Sequence, residues 1–565
     1  MLSQIPEQRM HWIRWVVSLG WIILILSLLY DPFSAHWTAP DSHINLFRDP
    51  LIASATDPES CIKVQAVCLS ETPYQVGARI FWSMVIPSSI MIVLVFGHET
   101  WRRICPLYFL SQLPRAIGLK PFLKIKKNQW LLQNHFYLQF VLFFIGLNFR
   151  ILLINSDRWA LALFLILTIL SATATILLYG GRSWCHYVCP FGMVQTVFTG
   201  PRGLLGSNAH LASPKTLTQS MCRTPDQSTG TDKSACVGCK ATCMDIDSEK
   251  SYWQQLHQPG RRLVQYGYLG LVLGYFIYPW LYSGNFAYNF SGVWTHEPSQ
   301  VATLLNPGFY LFHTPIPIPK FIAAPMTLAA FIGLSCSVCS RLERFYRGSL
   351  RQTQPSLSKE QAIHRVFSIC TFISFNIFFI YGGRSEINRL PLIFQFVFQG
   401  SVVLVSTLWL AKTWSRTNIQ YTRERSMGKF RHQLQKLPLD ISSLLDGRSW
   451  DDLSPDEVYV LAKVIPGATS QERLDLYSRV LKEAMNAEEC PQLKNIEALQ
   501  QILQILGIKE EEHHQVMRQI SGDKLCHLSD KERQYSQGQS AHHRILRYPA
   551  FSKRVCPSSD SKKLA

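Results

Sequence analysis

The chain has 565 residues, 47% of them hydrophobic and only 17% charged, below the roughly 25% charged content of soluble domains; this excludes a wholly soluble protein, a disordered chain and a fibrous repeat. Its formal net charge of +18 calls for anionic surroundings, but membrane proteins gain such an excess from their cytoplasmic loops alone, so membrane lipid is implied as a partner and nucleic acid is not. Fifteen cysteines, mostly clustered in a chain apolar enough to fold without covalent staples, point to ligands more than to a disulfide scaffold.

In chain order, apolar runs long enough to cross a bilayer core of about 30 Å lie near residues 12 to 30, 77 to 97, 136 to 154, 159 to 179, 264 to 281, 319 to 336, 365 to 382 and 391 to 411. They predict an all-α polytopic membrane protein of about eight transmembrane helices. The first run follows Arg9 and Arg14 and ends Leu28-Leu29-Tyr30-Asp31-Pro32. It lacks a small-residue cleavage site, so it is expected to be a retained helix and not a removable signal peptide. Lys and Arg number seven in residues 98–134, nine in 182–263 and six in 340–365, against two in 31–76 and none in 282–317. The positive-inside rule then predicts a multi-pass protein of a bacterial plasma or internal membrane with both termini in the cytoplasm.

The first outer loop carries six acidic residues together with Cys61 and Cys68 on the oxidising side. These two cysteines are a candidate disulfide, with a metal pair the weaker reading because no His accompanies them at ligand spacing. No Asp, Glu or Lys interrupts the apolar centres of the spans, which argues against a proton pump or ion-coupled transporter. Arg150, late in the third span, is the nearest to an exception. It is expected to snorkel to the outer interface, in preference to an anion or quinone contact.

Nine thiols fall on the reducing side: Cys105, Cys185, Cys189, Cys222, Cys236, Cys239, Cys243, Cys336 and Cys339. Metal ligation or redox work is therefore the leading account of them. The strongest local signal is Cys222, then thirteen residues, then Cys236-Val237-Gly238-Cys239-Lys240-Ala241-Thr242-Cys243. The Cys-x2-Cys-x3-Cys part reproduces the last three positions of the bacterial ferredoxin run, and Cys222 supplies a fourth ligand for a [4Fe-4S] cluster. A structural zinc site with four cysteines and plain buried cysteines remain as alternatives. The cluster is favoured because only one pair has the spacing of a zinc knuckle.

The second signal is Trp184-Cys185-His186-Tyr187-Val188-Cys189-Pro190, just after Tyr179-Gly180-Gly181-Arg182. A helical backbone there puts both sulfurs on one face at i and i+4, while Pro190 restricts Cys189. A partial echo, Trp101-Arg102-Arg103-Ile104-Cys105-Pro106, follows the second span with a single cysteine. Each copy is followed by a Gln and a Pro-Arg pair (Gln112, Pro114-Arg115; Gln195, Pro201-Arg202), which points to an internal duplication. Tyr381-Gly382-Gly383-Arg384-Ser385 repeats the Tyr179–Ser183 string without a cysteine after it.

Over roughly residues 75 to 250 these motifs resemble the membrane-bound polyferredoxin family of the NapH and NosR type, accessory proteins of periplasmic nitrate and nitrous oxide reduction. The resemblance implies Cys-x3-Cys-Pro motifs at the ends of transmembrane helices and a cytoplasmic ferredoxin-like segment that binds [4Fe-4S] clusters. It matches Cys185 and Cys189 to the first feature and Cys236, Cys239 and Cys243 to the second, and it implies electron flow between quinol, clusters and a partner protein. This chain departs from the family pattern in three places. Trp101 stands where the first copy would have its leading cysteine, Met244 follows the last cluster ligand in place of proline, and one four-cysteine set is present where the family often has two. Cys336-Ser337-Val338-Cys339 lies outside the pattern; with Cys185, Cys189 and neighbouring Cys105 it makes a candidate second thiolate site for a metal or cluster. His98, His135 and His364 fall at cytoplasmic span ends and give no facing pair for a b-type haem.

After Lys412 the composition turns polar. A basic juxtamembrane stretch (Arg416, Arg423, Arg425, Lys429, Arg431) is expected to lie against anionic headgroups. Capping signals at Leu453–Glu457 and Thr469–Glu472, and apolar faces through Leu474, Tyr477, Leu481 and Ala484 and through residues 495–507, predict a small helical domain. The expected organisation is a first helix and acidic outer loop (1–76), three helices with the Cys-Pro motifs and the Fe-S loop (77–263), four further helices (264–412), a cytoplasmic helical domain (413–530) and a basic, disordered tail (531–565). The function expected from this is a membrane electron carrier that passes electrons between quinol or a cytoplasmic donor and a partner redox protein through a [4Fe-4S] cluster. Its rivals are a redox sensor that signals through the C-terminal domain and an assembly factor that delivers metal to an exported reductase.

Overall fold

The computed structural model describes residues 7–39, 62–68, 73–119, 121–123, 125, 128–155, 157–206, 223–225, 232–234, 247–290, 294, 301–353 and 358–434, with scattered residues between 474 and 516. Cys61, Cys222, Cys236, Cys239 and Cys243 lie outside the described residues, as do the predicted tail and most of the predicted C-terminal helices. The described residues fall into two compact units. One holds the helices up to Ser415, and the other holds those from Arg416 onward together with a short hairpin at Arg223–Pro225 and Asp232–Ser234.

Helix α1 spans Glu7–Leu29. Helix α2, Ile86–Ile104, continues a short helix at Val76–Ile80 through a π-helical turn at Phe81–Val85. Helix α3 is Pro106–Ser111, and α4, Gln129–Phe149, runs into a second π-helical turn at Arg150–Ile154. Asn128 caps α4 by accepting the Leu131 N–H, and Asp157 caps α5, Arg158–Tyr179, by accepting from Trp159 and Ala160. Helices α6, Pro190–Thr199, α7, Ser248–Gln255, and α8, Arg261–Ser283, follow. Helices α9, Lys320–Thr353, α10, Ser358–Gly382, and α11, Leu392–Trp414, complete the first unit.

Among the described residues seven helices are long and apolar enough to cross a membrane. The eighth predicted run does form a helix, α8, but it is not one of those seven. Five tyrosines (Tyr266, Tyr268, Tyr275, Tyr278, Tyr282) dilute its apolarity. It packs against α9, α10 and α4, so neighbouring helices cover most of its surface. A helix surrounded by protein can carry hydroxyls that a lipid-facing helix cannot, because its neighbours supply partners. Gln265 donates to Phe367 O and Thr371 Oγ1, and Ser335 donates to Tyr266 O at 2.7 Å. Val93, Leu94, Met193, Val197, Phe198, Val264, Leu271 and Phe375 form the buried centre of the bundle.

Arg150 departs from the sequence expectation. Its guanidinium stacks 3.9 Å from the Trp82 ring and lies 5.0 Å from that of Tyr275 on α8. Both π-helical turns contribute, one carrying Trp82 and the other beginning at Arg150. The widened turns re-aim these side chains toward each other, and two aromatic faces hold the charge that was expected to reach for the interface.

At the end of the bundle opposite Cys105, Arg79 is 4% exposed and donates to Glu386 Oε1 at 2.6 Å, to Tyr74 Oη at 3.0 Å and to Ser385 O at 3.3 Å. Replacing Arg79 by Met leaves the Glu386 carboxylate without this partner. Glu386 keeps a 25% exposed side chain, so the expected loss is about 2 kcal/mol and not the roughly 3–5 kcal/mol of a fully buried pair. Thermal unfolding in detergent measures it. Nearby, Lys63–Val64 and Val67–Cys68 form a hairpin, and Cys68 is disulfide-bonded.

In the second unit, Arg416 holds Glu424 through two hydrogen bonds of 2.5 and 2.6 Å beside helix α12, Asn418–Leu434. Tyr477, fully buried, shares a 2.6 Å hydrogen bond with His513 Nδ1.

Candidate metal centre

The two Cys-Pro segments adopt one backbone design. Gly97 (φ 78, ψ 175) breaks α2, and Gly180 (φ 72, ψ 180) ends α5. That region of backbone space is essentially restricted to glycine. Beyond each glycine the chain rewinds for one to two turns and stops at a cysteine of nearly identical conformation, Cys105 (φ −59, ψ 116) and Cys189 (φ −55, ψ 120). Pro106 and Pro190 then open α3 and α6, as suits a residue that lacks an N–H and is pre-set for a helix start.

The copies differ by one residue. Cys105 N–H donates to Trp101 O at 3.0 Å, four residues back, whereas Cys189 N–H donates to Trp184 O at 2.8 Å, five back. The extra residue in the second copy is absorbed as a π-helical turn, Trp184–Val188, and Cys185 stands in that turn.

Breaking a helix leaves carbonyls to satisfy, and each copy uses the segment that trails the other. Leu204 and Leu205 donate to Leu94 O and Val95 O at 2.9 and 2.6 Å, while Phe122 and Leu123 donate to Leu177 O and Leu178 O at 3.2 and 2.7 Å. In both cases the accepting carbonyls lie three and two residues before the glycine. The exchange gives the sequence echo a physical form: two related halves, each completing the other.

It also brings Cys105 within electrostatic range of Cys189. Cys189 is 7% exposed and senses the charge of Cys105. Its sulfur accepts from the N–H groups of Phe191 and Gly192, and that of Cys105 accepts from Leu107 and Tyr108, the same two positions of each short helix. Cys185 packs against Cys189 beside Trp184, Ala172 and Ile176. Burial, and then the neighbouring Cys105, push the Cys189 thiol up to about 12. Two such thiols do not both ionise unless a cation lies between or beside them. Arg182, over the Tyr108 ring at 4.2 Å, acts on Cys105, and Arg14 and Arg103 are buried in the same neighbourhood. This positive field favours an anionic thiolate centre. Thiolate ligands that accept backbone N–H groups in a buried, positively charged surround suit an iron–sulfur cluster in donor chemistry.

The remaining site predictions are redistributed. Cys339 lies 3.5 Å from Cys370, a residue the sequence reading passed over, and Cys336 is half-buried one turn back on α9. The five thiols proposed from sequence as a second site are not gathered: among the described residues no group of three or more His, Cys, Asp or Glu side chains is placed to hold a metal ion. The span ends are the reason. Helix α9 runs on to Thr353, so Cys336 and Cys339 stand within the helix and face α10. His364 uses both ring nitrogens inside the bundle, with Tyr252 Oη at 2.8 Å and Thr413 O at 2.9 Å. The arginines around Cys105 carried no sequence signal as ligands, although Arg182 completes the Gly180-Gly181 turn.

Residues 161–208 match a family described as a 4Fe-4S binding domain. The matched stretch covers α5, the π-helical turn and α6, contains Cys185 and Cys189, and ends before Cys222. The 4Fe-4S binding domain therefore coincides with one half of the exchanged pair. Set among seven helices fit to cross a membrane, it marks a membrane iron–sulfur protein. Neither the comparison with curated proteins nor that with solved structures returned a match.

Proposed function

We propose that this protein is a membrane electron carrier of the NapH and NosR type, passing single electrons between quinol or a cytoplasmic donor and a partner redox protein. The match of residues 161–208 to a 4Fe-4S binding domain carries this reading. A [4Fe-4S] cluster supplies reversible one-electron storage. In the proposal Cys222, Cys236, Cys239 and Cys243 hold it by their ferredoxin-like spacing, and Cys185 and Cys189, the thiols of the matched stretch, add donors for iron at the end of α5. The N–H groups of Phe191 and Gly192 steady the Cys189 sulfur, and Arg182 acts on neighbouring Cys105. In this reading both termini lie in the cytoplasm, which the distribution of Lys and Arg supports.

The test is anaerobic purification in detergent, iron and sulfide analysis, and low-temperature electron paramagnetic resonance through a cycle of dithionite reduction and reoxidation. A carrier returns the same signal after the cycle. Loss of the cluster on oxidation favours the sensor reading, exchange of its metal favours the assembly factor, and zinc without sulfide overturns all three.

A further inference from the structure

Sequence spacing pairs Cys336 with Cys339, but helix packing pairs Cys339 with Cys370. The two thiols come from different helices, α9 and α10, and are 4% and 1% exposed. Their sulfurs are 3.5 Å apart, in van der Waals contact. Ser335 Oγ lies 3.9 Å from Cys339 Sγ and is anchored on Tyr266 O. Among the described residues no third ligand completes a metal site here. The chemistry open to the pair is the bond between them. A disulfide has an S–S length of about 2.0 Å, and two sulfurs already in van der Waals contact are placed to form one.

The surroundings serve such a reaction. Cys336, which interacts electrostatically with both, is half-buried where Cys339 and Cys370 are buried. On the other side Tyr266, which senses Cys370, donates to Glu343 Oε2 at 2.9 Å. Glu343 in turn accepts from Arg262, whose side chain is 48% exposed. This is a polar path from the buried thiols to the surface of the bundle.

We propose that Cys339 and Cys370 are a redox-active dithiol that closes to an interhelical disulfide when it meets a small, membrane-permeant disulfide. One cysteine sulfur attacks the S–S bond of the oxidant and releases one small thiol, leaving a mixed disulfide. The second cysteine sulfur displaces the other half, forming the Cys339–Cys370 bond and releasing a second small thiol. Two electrons pass from the cysteine sulfurs to the oxidant, and both cysteine protons leave on the two thiols formed. The closed form ties α9 to α10, the helix that Gln265 of α8 also holds through Phe367 and Thr371. This site stands apart from the iron–sulfur reading and does not depend on it.

The experiment treats the purified full-length protein in detergent with dithiodipyridine, an apolar disulfide, then denatures it in iodoacetamide and maps the cysteine peptides by mass spectrometry. The expected result is one cross-linked peptide joining Cys339 to Cys370, with Cys336 retaining a pyridylthio label, and recovery of all three thiols after dithiothreitol. In Cys370→Ala the cross-link is lost and Cys339 keeps the label. Should that variant fail to fold, Cys336→Ala tests the same claim, because the cross-link survives it. Recovery of Cys339 and Cys370 as separate peptides, alkylated or labelled, overturns the proposal, and so does a disulfide between Cys339 and Cys336.

Discussion

Cys239→Ser and Cys189→Ser are expected to remove two different sets of iron. Loss of one ligand from the four-cysteine loop should cost about four irons per chain, the content of one cubane, together with its reduced paramagnetic signal. Cys189→Ser should leave that signal in place and abolish whatever iron the thiols at the ends of α2 and α5 retain. The reason is geometric as well as chemical. The sulfur of Cys189 accepts from the backbone N–H groups of Phe191 and Gly192, so the serine variant removes a soft donor from a preset position. Iron analysis and electron paramagnetic resonance of the two variants, side by side, decide the assignment. If Cys189→Ser leaves iron and spectrum unchanged, these thiols are buried small hydrophobes and the loop holds all of the iron.

The second large effect belongs to Gly203. A Cβ built there meets Gly97 N at 2.4 Å and Gly97 Cα at 2.7 Å, both backbone atoms that cannot turn aside. Gly203→Ala must push the trailing segment away from α2 and break the hydrogen bonds from Leu204 and Leu205 to Leu94 and Val95. The expected cost is about 3 kcal/mol, at the upper end for overpacking, read as a lower unfolding temperature in detergent. Because the same segment follows α6 and the same glycine break precedes Cys105, iron held at that end should fall as well. Gly20→Ala is the control. It sits in α1 with nothing within 4 Å of the added methyl and should be neutral or slightly stabilising by helix propensity. Equal destabilisation by both variants would refute the close-contact argument.

A comparison of two identical strings shows how far local sequence reaches. Tyr179-Gly180-Gly181-Arg182-Ser183 and Tyr381-Gly382-Gly383-Arg384-Ser385 are the same five residues. In the first, both glycines take positive φ and end the helix ahead of Cys189. In the second, Gly382 still belongs to α10 and Gly383 has φ −78. Glycine permits both conformations at similar cost, so the surroundings choose. At Gly180 a Cβ would meet Pro121 at 3.0 Å, in the segment that completes α5, and no such exchanged segment follows α10.

The sequence by itself determined the helices and their class, because an apolar run of about twenty residues must satisfy its backbone internally wherever it lies. It also marked where α3 and α6 begin, since Pro106 and Pro190 act through local backbone sterics. The duplicated Cys-Pro segments were legible for the same reason. Which thiols meet was decided by tertiary structure. Cys105 comes within electrostatic range of Cys189 through the reciprocal pairing of Leu204 with Leu94 and of Phe122 with Leu177, and Cys339 finds Cys370 across a helix contact that no spacing encodes. Arg150 turned inward because two π-helical turns, themselves products of packing, aimed Trp82 and the guanidinium at each other. Short-range sterics and apolar run length can be read along a chain. Contacts between distant segments depend on how the helices are laid against one another, and that arrangement minimises the free energy of the whole bundle and not of any single stretch.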